Sequence, residues 1–187
     1  MSFFLYQEMA WQIVNDVNTE LSQKVPLFAR SPFIEFEGLL GDQREILEQV
    51  LPPMAQKMML ESIELADEMP SPRVIKTHLP LEMLPPDLLD TCKVIFVCRN
   101  PKDVCVSFFH HQRNISGYNF LGDFEQFAEM FKEGTAQYGS YWTMLKVCKK
   151  HTLLPKVLCL SKNCKIIVDL NFHRQNIFSC NSIKIDF

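Results

Sequence analysis

The feature that most constrains this chain is an unbroken apolar segment, Lys93-Val94-Ile95-Phe96-Val97-Cys98, with Pro101 shortly after it. A continuous run of branched and aromatic residues is typical of a parallel-sheet strand covered on both faces. Pro101 suits the first turn of a helix that begins directly after the strand. Residues 73–77 form a second β-branched segment, and Pro85-Pro86-Asp87 opens a short helix between the two. This order predicts a parallel pair with a right-handed crossover, and therefore an α/β fold.

Composition narrows the class of protein. The 187 residues suit one domain with a substantial core. A net charge of −3 argues against a nucleic-acid partner, although it leaves room for a local anion site. The seven cysteines include no CxxC pair, which favours free thiols in the cytoplasm over disulfides or a zinc site. We find no secretory signal pattern and no apolar run of about 18 residues, so we expect no membrane association.

Helical patterns surround these strands. Helices are expected over the first dozen residues, with Ser2 as N-cap, and over 43–51, with Asp42 as N-cap, 54–67, 101–112, 124–131 and 137–150. Extended segments are expected at 33–36 and 156–160. The character of the sequence changes after Ser161, where residues 166–168 are a strand candidate and no helical stripe is visible.

A candidate anion site lies at the end of the buried strand. Ligands of open α/β sheets bind beyond the carboxyl ends of the strands, where a helix N-terminus offers N–H groups and partial positive charge. Arg99 stands at this turn, and a guanidinium can bind a phosphate through two hydrogen bonds. Ser107, further along the helix, can add a hydroxyl donor. The alternative is structural: Arg99 pairs with Asp103, and Ser107 is a small packing residue.

A candidate proton-handling pair lies at the end of the other strand, in Lys76-Thr77-His78. Residues two apart on an extended chain point to the same side, so Lys76 and His78 project together from the carboxyl edge of the sheet. Histidine can accept a proton near neutral pH, and lysine can neutralise charge on a transferring or leaving oxygen. The alternative is a histidine that closes a turn beside a solvated lysine.

Other polar candidates carry less weight. His110 and His111 stand beside two phenylalanines, which favours packing or surface positions over a metal site, and no metal is expected. The phenylalanine-rich segment 124–131 is expected in the core. The chain lacks the GxxxxGK[ST] and GxGxxG patterns that cradle nucleotide phosphates, which argues against a P-loop NTPase.

Several separated motifs occur in one order along the chain. They are QEMAW at 7–11, PFIEF at 32–36, PRVIKTHLP at 72–80, KVIFVCRNPKD at 93–103 followed by Ser107, and YGSYW at 138–142. In this order they resemble the cytosolic sulfotransferase family, and the resemblance covers roughly residues 7–160.

The resemblance implies an α/β three-layer sandwich with a central parallel sheet, of the P-loop NTPase-like sulfotransferase type. Members of the family transfer a sulfuryl group from 3′-phosphoadenosine 5′-phosphosulfate to a hydroxyl or amine of a small acceptor, such as a phenol or an alcohol, and need no metal. In this resemblance His78 matches the catalytic base, and Lys76 stabilises charge near the transferred group. Arg99 and Ser107 match the pair that holds the 3′-phosphate. Phe33 matches an aromatic of the acceptor pocket.

The chain also departs from the family pattern. A P-K-S-G-T-T-W type loop, which holds the 5′-phosphosulfate, is expected just before Gln7, where this chain has MSFFLY. After Leu160 the chain has SKNC in place of a tyrosine–acid segment, and an R-K-G type element is missing. The sequence therefore predicts a partial, incomplete sulfotransferase domain over 1–160 and a divergent tail over 161–187. It predicts impaired transfer or, alternatively, a non-catalytic truncated isoform with a residual 3′-phosphate nucleotide site.

Overall fold

The computed structural model of this chain describes residues 3–40, 43–115, 118, 120–151, 154–162 and 182–186. The helices in this part of the chain are α1 Phe3–Val14, α2 Thr19–Lys24, α3 Leu27–Arg30, α4 Phe36–Leu40, α5 Arg44–Val50, α6 Pro53–Leu60, α7 Ser62–Glu68, α8 Leu88–Thr91, α9 Pro101–Asn114, α10 Phe124–Glu133 and α11 Tyr141–His151. The strands are β1 Arg73–Lys76, β2 Lys93–Arg99, β3 Val157–Lys162 and β4 Ser182–Asp186.

The four described strands form one parallel sheet in the order β1-β4-β2-β3. β2 pairs with β3, with Val94 opposite Val157, and on its other side β2 pairs with β4, with Lys93 opposite Ile183. The predicted α/β fold with a parallel sheet is confirmed. The predicted direct pairing of β1 with β2 is wrong, because β4 lies between them. A continuous apolar run shows that a strand is buried on both faces, but it does not identify the neighbouring strand.

β2 is covered on both faces, as its apolar sequence predicts. Val94, Phe96 and Cys98 lie in one core cluster, which includes Leu88 of α8 and Cys148 of α11. The alternate residues of β2 face the opposite layer, where Val97 packs with Ala10 and Trp11 of α1. Helices therefore cover the sheet on two sides, which gives the three layers expected from the sequence.

A third cluster joins α9 and α10 beside the sheet. Phe109 of α9 packs with Phe127 and Phe131 of α10, which confirms the core position expected for the phenylalanine-rich segment. Asp123 caps α10 through a reciprocal bond with Gln126, so this helix begins where the sequence predicts. The cluster fixes the position of α9, which starts at the carboxyl end of β2.

Three local predictions are wrong in detail. The helix expected over 54–67 is divided at Glu61 into α6 and α7. The segment 33–36 forms an isolated parallel bridge at Phe33 and enters α4 at Phe36. The helix expected from 137 begins at Tyr141, because Tyr138 and Gly139 have φ angles of 68° and 76°, which a right-handed helix does not allow.

Other expectations fall at the edge of the described residues or beyond them. The candidate caps Ser2 and Asp42 and the candidate strand 166–168 lie outside the described residues. Gln43 is the residue that precedes α5 at its N-cap position. Within the described ranges, no helix is long and apolar enough to cross a membrane.

Candidate functional site

Lys76 ends β1 and is buried, with 5% of its surface exposed. Its ammonium lies 4.2 Å from the ring centroid of Phe33, in a cation–π position. The backbone around it is fixed, because Lys76 N–H donates to the carbonyl of Pro32 at 2.8 Å and the carbonyl of Lys76 accepts from Ile34 at 3.2 Å. The alternative of a solvated lysine is therefore wrong. Burial lowers the pKa of Lys76 to about 8, and the nearby charge of Glu35 partly offsets this effect.

His78 follows β1 and stands between two aromatic rings. Its imidazole centroid lies 5.0 Å from that of Phe33, edge to face, and 5.2 Å from that of Tyr138. Burial lowers the pKa of His78 well below its ordinary value, and the positive charges of Lys76 and His111 lower it further. At neutral pH the imidazole is therefore uncharged and can accept a proton.

Arg99 ends β2, and Tyr141 of α11 holds its backbone. The Tyr141 hydroxyl accepts from the Arg99 N–H at 3.1 Å and donates to the Arg99 carbonyl at 2.7 Å. Beyond the strand, the Asn100 side chain caps α9 by accepting from the Lys102 N–H at 2.9 Å. The turn that presents the Arg99 side chain is thus tied to both α9 and α11.

One cavity of about 710 Å³ brings the predicted site residues together. It is lined by Lys76, His78, Arg99, Ser107 and Phe33, together with further aromatic and aliphatic side chains. Ser107 is half-buried on α9. The carboxyl ends of β1 and β2 therefore open on the same cavity, although the two strands are not neighbours.

Sequence reasoning missed His111, Tyr138 and Tyr141 as residues of this cavity. His111 lines it, and its ring centroid lies 5.2 Å from that of Tyr118, whereas the sequence favoured packing or surface positions. Burial and the charge of Lys76 lower the pKa of His111. Tyr138 also lines the cavity, with a positive φ that is rare outside glycine and tends to occur at functional sites. Tyr138 could have been identified from the sequence, because it belongs to the YGSYW motif that this chain shares with the family.

None of the described cysteines lines this cavity. Cys98, Cys148 and Cys159 are buried, free thiols in the sheet core. Among the described residues, no group of three or more His, Cys, Asp or Glu side chains is arranged to hold a metal ion.

The parallel sheet with a cavity at the carboxyl ends of its strands has the arrangement in which open α/β proteins bind their ligands. Residues 4–167 match the family model of the sulfotransferase domain. This chain belongs to the sulfotransferase family.

Curated relatives and solved structures agree with this family. Human sulfotransferase 1E1 is 32% identical over 154 residues, which cover 82% of this chain and 46% of the relative. Luciferin sulfotransferase from Photinus pyralis is 32% identical over 158 residues, 83% of this chain and 41% of the relative. The crystal structure of retinol dehydratase in complex with androsterone and inactive cofactor PAP matches with a TM-score of 0.67 and 31% identity, over 84% of this chain and 50% of that one. The chain thus spans about half the length of the proteins it matches.

Proposed function

We propose that this chain forms the 3′-phosphate-binding and proton-handling part of a sulfotransferase site that uses 3′-phosphoadenosine 5′-phosphosulfate. The observation that carries the proposal is the shared cavity, onto which Lys76, His78, Arg99 and Ser107 all open. These four residues come from two strand ends and one helix, so their convergence is a property of the fold. A solved relative contains the nucleotide PAP, which is consistent with a nucleotide in this cavity.

The proposed roles follow from charge and position. Arg99 and Ser107 hold the 3′-phosphate, because a guanidinium and a hydroxyl both donate to phosphate oxygens. His78 is uncharged at neutral pH, so it accepts the proton of the acceptor hydroxyl or amine as the new S–O or S–N bond forms. Lys76 neutralises charge on the oxygen that leaves with the nucleotide. Transfers of this kind depend mostly on positioning and electrostatics.

The acceptor in this proposal is a small apolar or phenolic molecule. Phe33 and Tyr138 contact the His78 ring. The cavity is also lined by the aromatic side chains of Phe28, Phe36, Phe108 and Tyr118. Such a lining favours a flat or apolar body, while the polar end faces His78 and Lys76. A cytosolic location belongs to the same proposal and is supported by the free thiols of the described cysteines.

Calorimetry with adenosine 3′,5′-bisphosphate tests the nucleotide site. We expect Arg99→Ala to weaken binding about 10- to 100-fold, because hydrogen bonds to a charged group contribute about 1.5–3 kcal/mol. Arg44→Ala is the matched control, since Arg44 pairs with Glu48 on α5 and does not line the cavity. Equal binding by wild type and Arg99→Ala, or no binding by either, would refute the nucleotide site.

A second candidate is a non-catalytic chain that keeps the 3′-phosphate site. It concerns these 187 residues taken alone, among which none matches the lysine of the family's phosphosulfate loop. Removing one preorganised anion donor typically costs about 100- to 1000-fold in rate, so these residues alone should transfer weakly or not at all. Transfer of labelled sulfate to a phenol measures this. Normal turnover would exclude the second candidate, and nucleotide binding without turnover would favour it.

A further inference from the structure

Glu35 lies against the turn that follows β1, and one of its oxygens holds three consecutive residues. Oε1 accepts from the Thr77 hydroxyl, from the His78 N–H at 2.5 Å and from the Leu79 N–H at 2.9 Å. The Thr77 hydroxyl oxygen also accepts from the Leu79 N–H, at 3.0 Å. Hydrogen bonds to a carboxylate are about twice as strong as those between neutral groups. This single side chain therefore fixes the backbone from which the His78 imidazole projects.

The segment that carries Glu35 is itself fixed to β1. Phe33 forms a parallel bridge with Lys76, closed on either side by the backbone bonds of Pro32 and Ile34 to Lys76. The Ile34 carbonyl accepts from the Ser62 hydroxyl of α7 at 3.2 Å. The segment that carries Glu35 is thus bonded to the end of β1. In the same segment, the Phe33 ring contacts both the Lys76 ammonium and the His78 ring.

Glu35 also affects the charge of the site without entering the cavity. Lys76 and His78 line the cavity, whereas Glu35 does not. Burial lowers the pKa of Lys76, and the Glu35 charge acts in the opposite direction. Burial raises the pKa of Glu35 itself, while its bonds to Thr77, His78 and Leu79 favour the ionised form. The negative charge of Glu35 and the positive charge of Lys76 are therefore of opposite sign and both buried. Lys76 lines the cavity, and Glu35 lies outside it.

We propose that Glu35 is the positioning residue of this site: it orients His78 through its backbone, and from the segment bridged to Lys76 it supplies the buried negative charge that accompanies the Lys76 ammonium. It does not touch the reacting atoms and acts only through these two residues. The inference rests on the proposed function for the roles of His78 and Lys76, and adds to it a group outside the cavity.

Two substitutions separate the two effects. Glu35→Gln keeps a carbonyl oxygen at the position of Oε1 but removes the charge, whereas Glu35→Ala removes both. Glu37→Gln is the matched control, because it makes the same charge change two residues away on α4, where its carboxylate interacts with Glu64 and Arg44. NMR titration of the Lys76 ammonium and the His78 imidazole, with calorimetry using 2-naphthol as acceptor probe, provides the readouts.

We expect Glu35→Gln to lower the pKa of Lys76 below its wild-type value of about 8. The backbone amide resonances of His78 and Leu79 should shift less than in Glu35→Ala, because a carbonyl acceptor remains at the position of Oε1. Glu35→Ala should shift those amide resonances and weaken 2-naphthol binding about tenfold. Glu37→Gln should change none of these quantities. If Glu35→Ala does not fold, Glu35→Asp, which shortens the reach to the same N–H groups, takes its place and should shift the same amides.

An unchanged pKa of Lys76 in Glu35→Gln would overturn the electrostatic half of the proposal. Unchanged His78 and Leu79 amides in Glu35→Ala, or in Glu35→Asp, would overturn the orienting half. Both titrations are measured without nucleotide or turnover. Failure of adenosine 3′,5′-bisphosphate to bind would therefore refute the proposed function. The titrations and amide shifts would still decide whether Glu35 positions His78 and affects the pKa of Lys76.

Discussion

Tyr141→Phe tests how firmly the end of β2 is held. The hydroxyl makes two hydrogen bonds to the backbone of Arg99, at 3.1 and 2.7 Å. A hydrogen bond of this kind contributes about 0.5–1.5 kcal/mol, so the loss of both should lower the free energy of unfolding by about 1–3 kcal/mol. Phenylalanine keeps the ring contact with Phe131, whose centroid lies 5.6 Å away, so the change reports on the hydroxyl rather than on packing.

The same substitution should weaken the nucleotide site, because the backbone that presents Arg99 loses its tie to α11. We expect urea unfolding at a lower midpoint with an unchanged m-value, and about tenfold weaker binding of adenosine 3′,5′-bisphosphate by calorimetry. Tyr6→Phe removes the same atom from a half-buried ring on the other side of the sheet and serves as control. If Tyr141→Phe matches wild type in both measurements, the hydroxyl does not secure Arg99 and the reasoning is wrong.

Three further outcomes are expected. The pKa of His78 is lowered in the folded protein, so as pH falls the unfolded chain binds a proton on this residue before the folded chain does, and the free energy of unfolding should fall below about pH 6.5. His78→Gln should flatten this part of a profile of urea midpoint against pH. A profile identical to that of wild type would contradict the lowered pKa. Lys184→Pro should lower the melting temperature, because β4 pairs with a strand on each side and proline removes a backbone N–H that donates to a neighbouring strand. Lys184→Ala keeps this N–H and should not lower the melting temperature. Equal melting temperatures of the two variants would place β4 outside the sheet. Gly134→Ala should lower the free energy of unfolding by about 1–2 kcal/mol, because Gly134 has φ 78° and a Cβ there would lie 2.7 Å from Ser140 Cβ. Gly38→Ala is the control: its Cβ meets open space, so it should not lower the free energy of unfolding in the same assay.

Much of the fold follows from local sequence patterns. The apolar run of β2 predicts a strand buried on both faces, and the three-layer packing around Val97 and Phe96 confirms it. Asp123 and the phenylalanine spacing after it predict α10 and its buried face. These predictions succeed because burial and capping depend on residues within one or two turns of each other.

The site was only partly accessible from sequence. Lys76, His78 and Arg99 were candidates because each stands at or just after a strand end, and Ser107 was a candidate because it lies on the helix that follows β2. The structure places all four on one cavity. Tyr141 and His111 were missed, because a tyrosine or a histidine on a helix gives no sign of which strand end it will meet. Glu35 was missed as a functional residue for the same reason, since its partners Thr77, His78 and Leu79 are more than 40 residues away in sequence.

The sequence by itself therefore determined that the chain is an α/β protein of the sulfotransferase family, and which strand ends carry its polar groups. Only the tertiary structure decided that β4 lies between β1 and β2, that Lys76 is buried over Phe33, and that Glu35 holds the turn of His78. Strand burial and helix caps are set by neighbouring residues. The pairing of strands and the desolvation of a lysine depend on segments far apart in the chain, and these meet only when the sheet assembles.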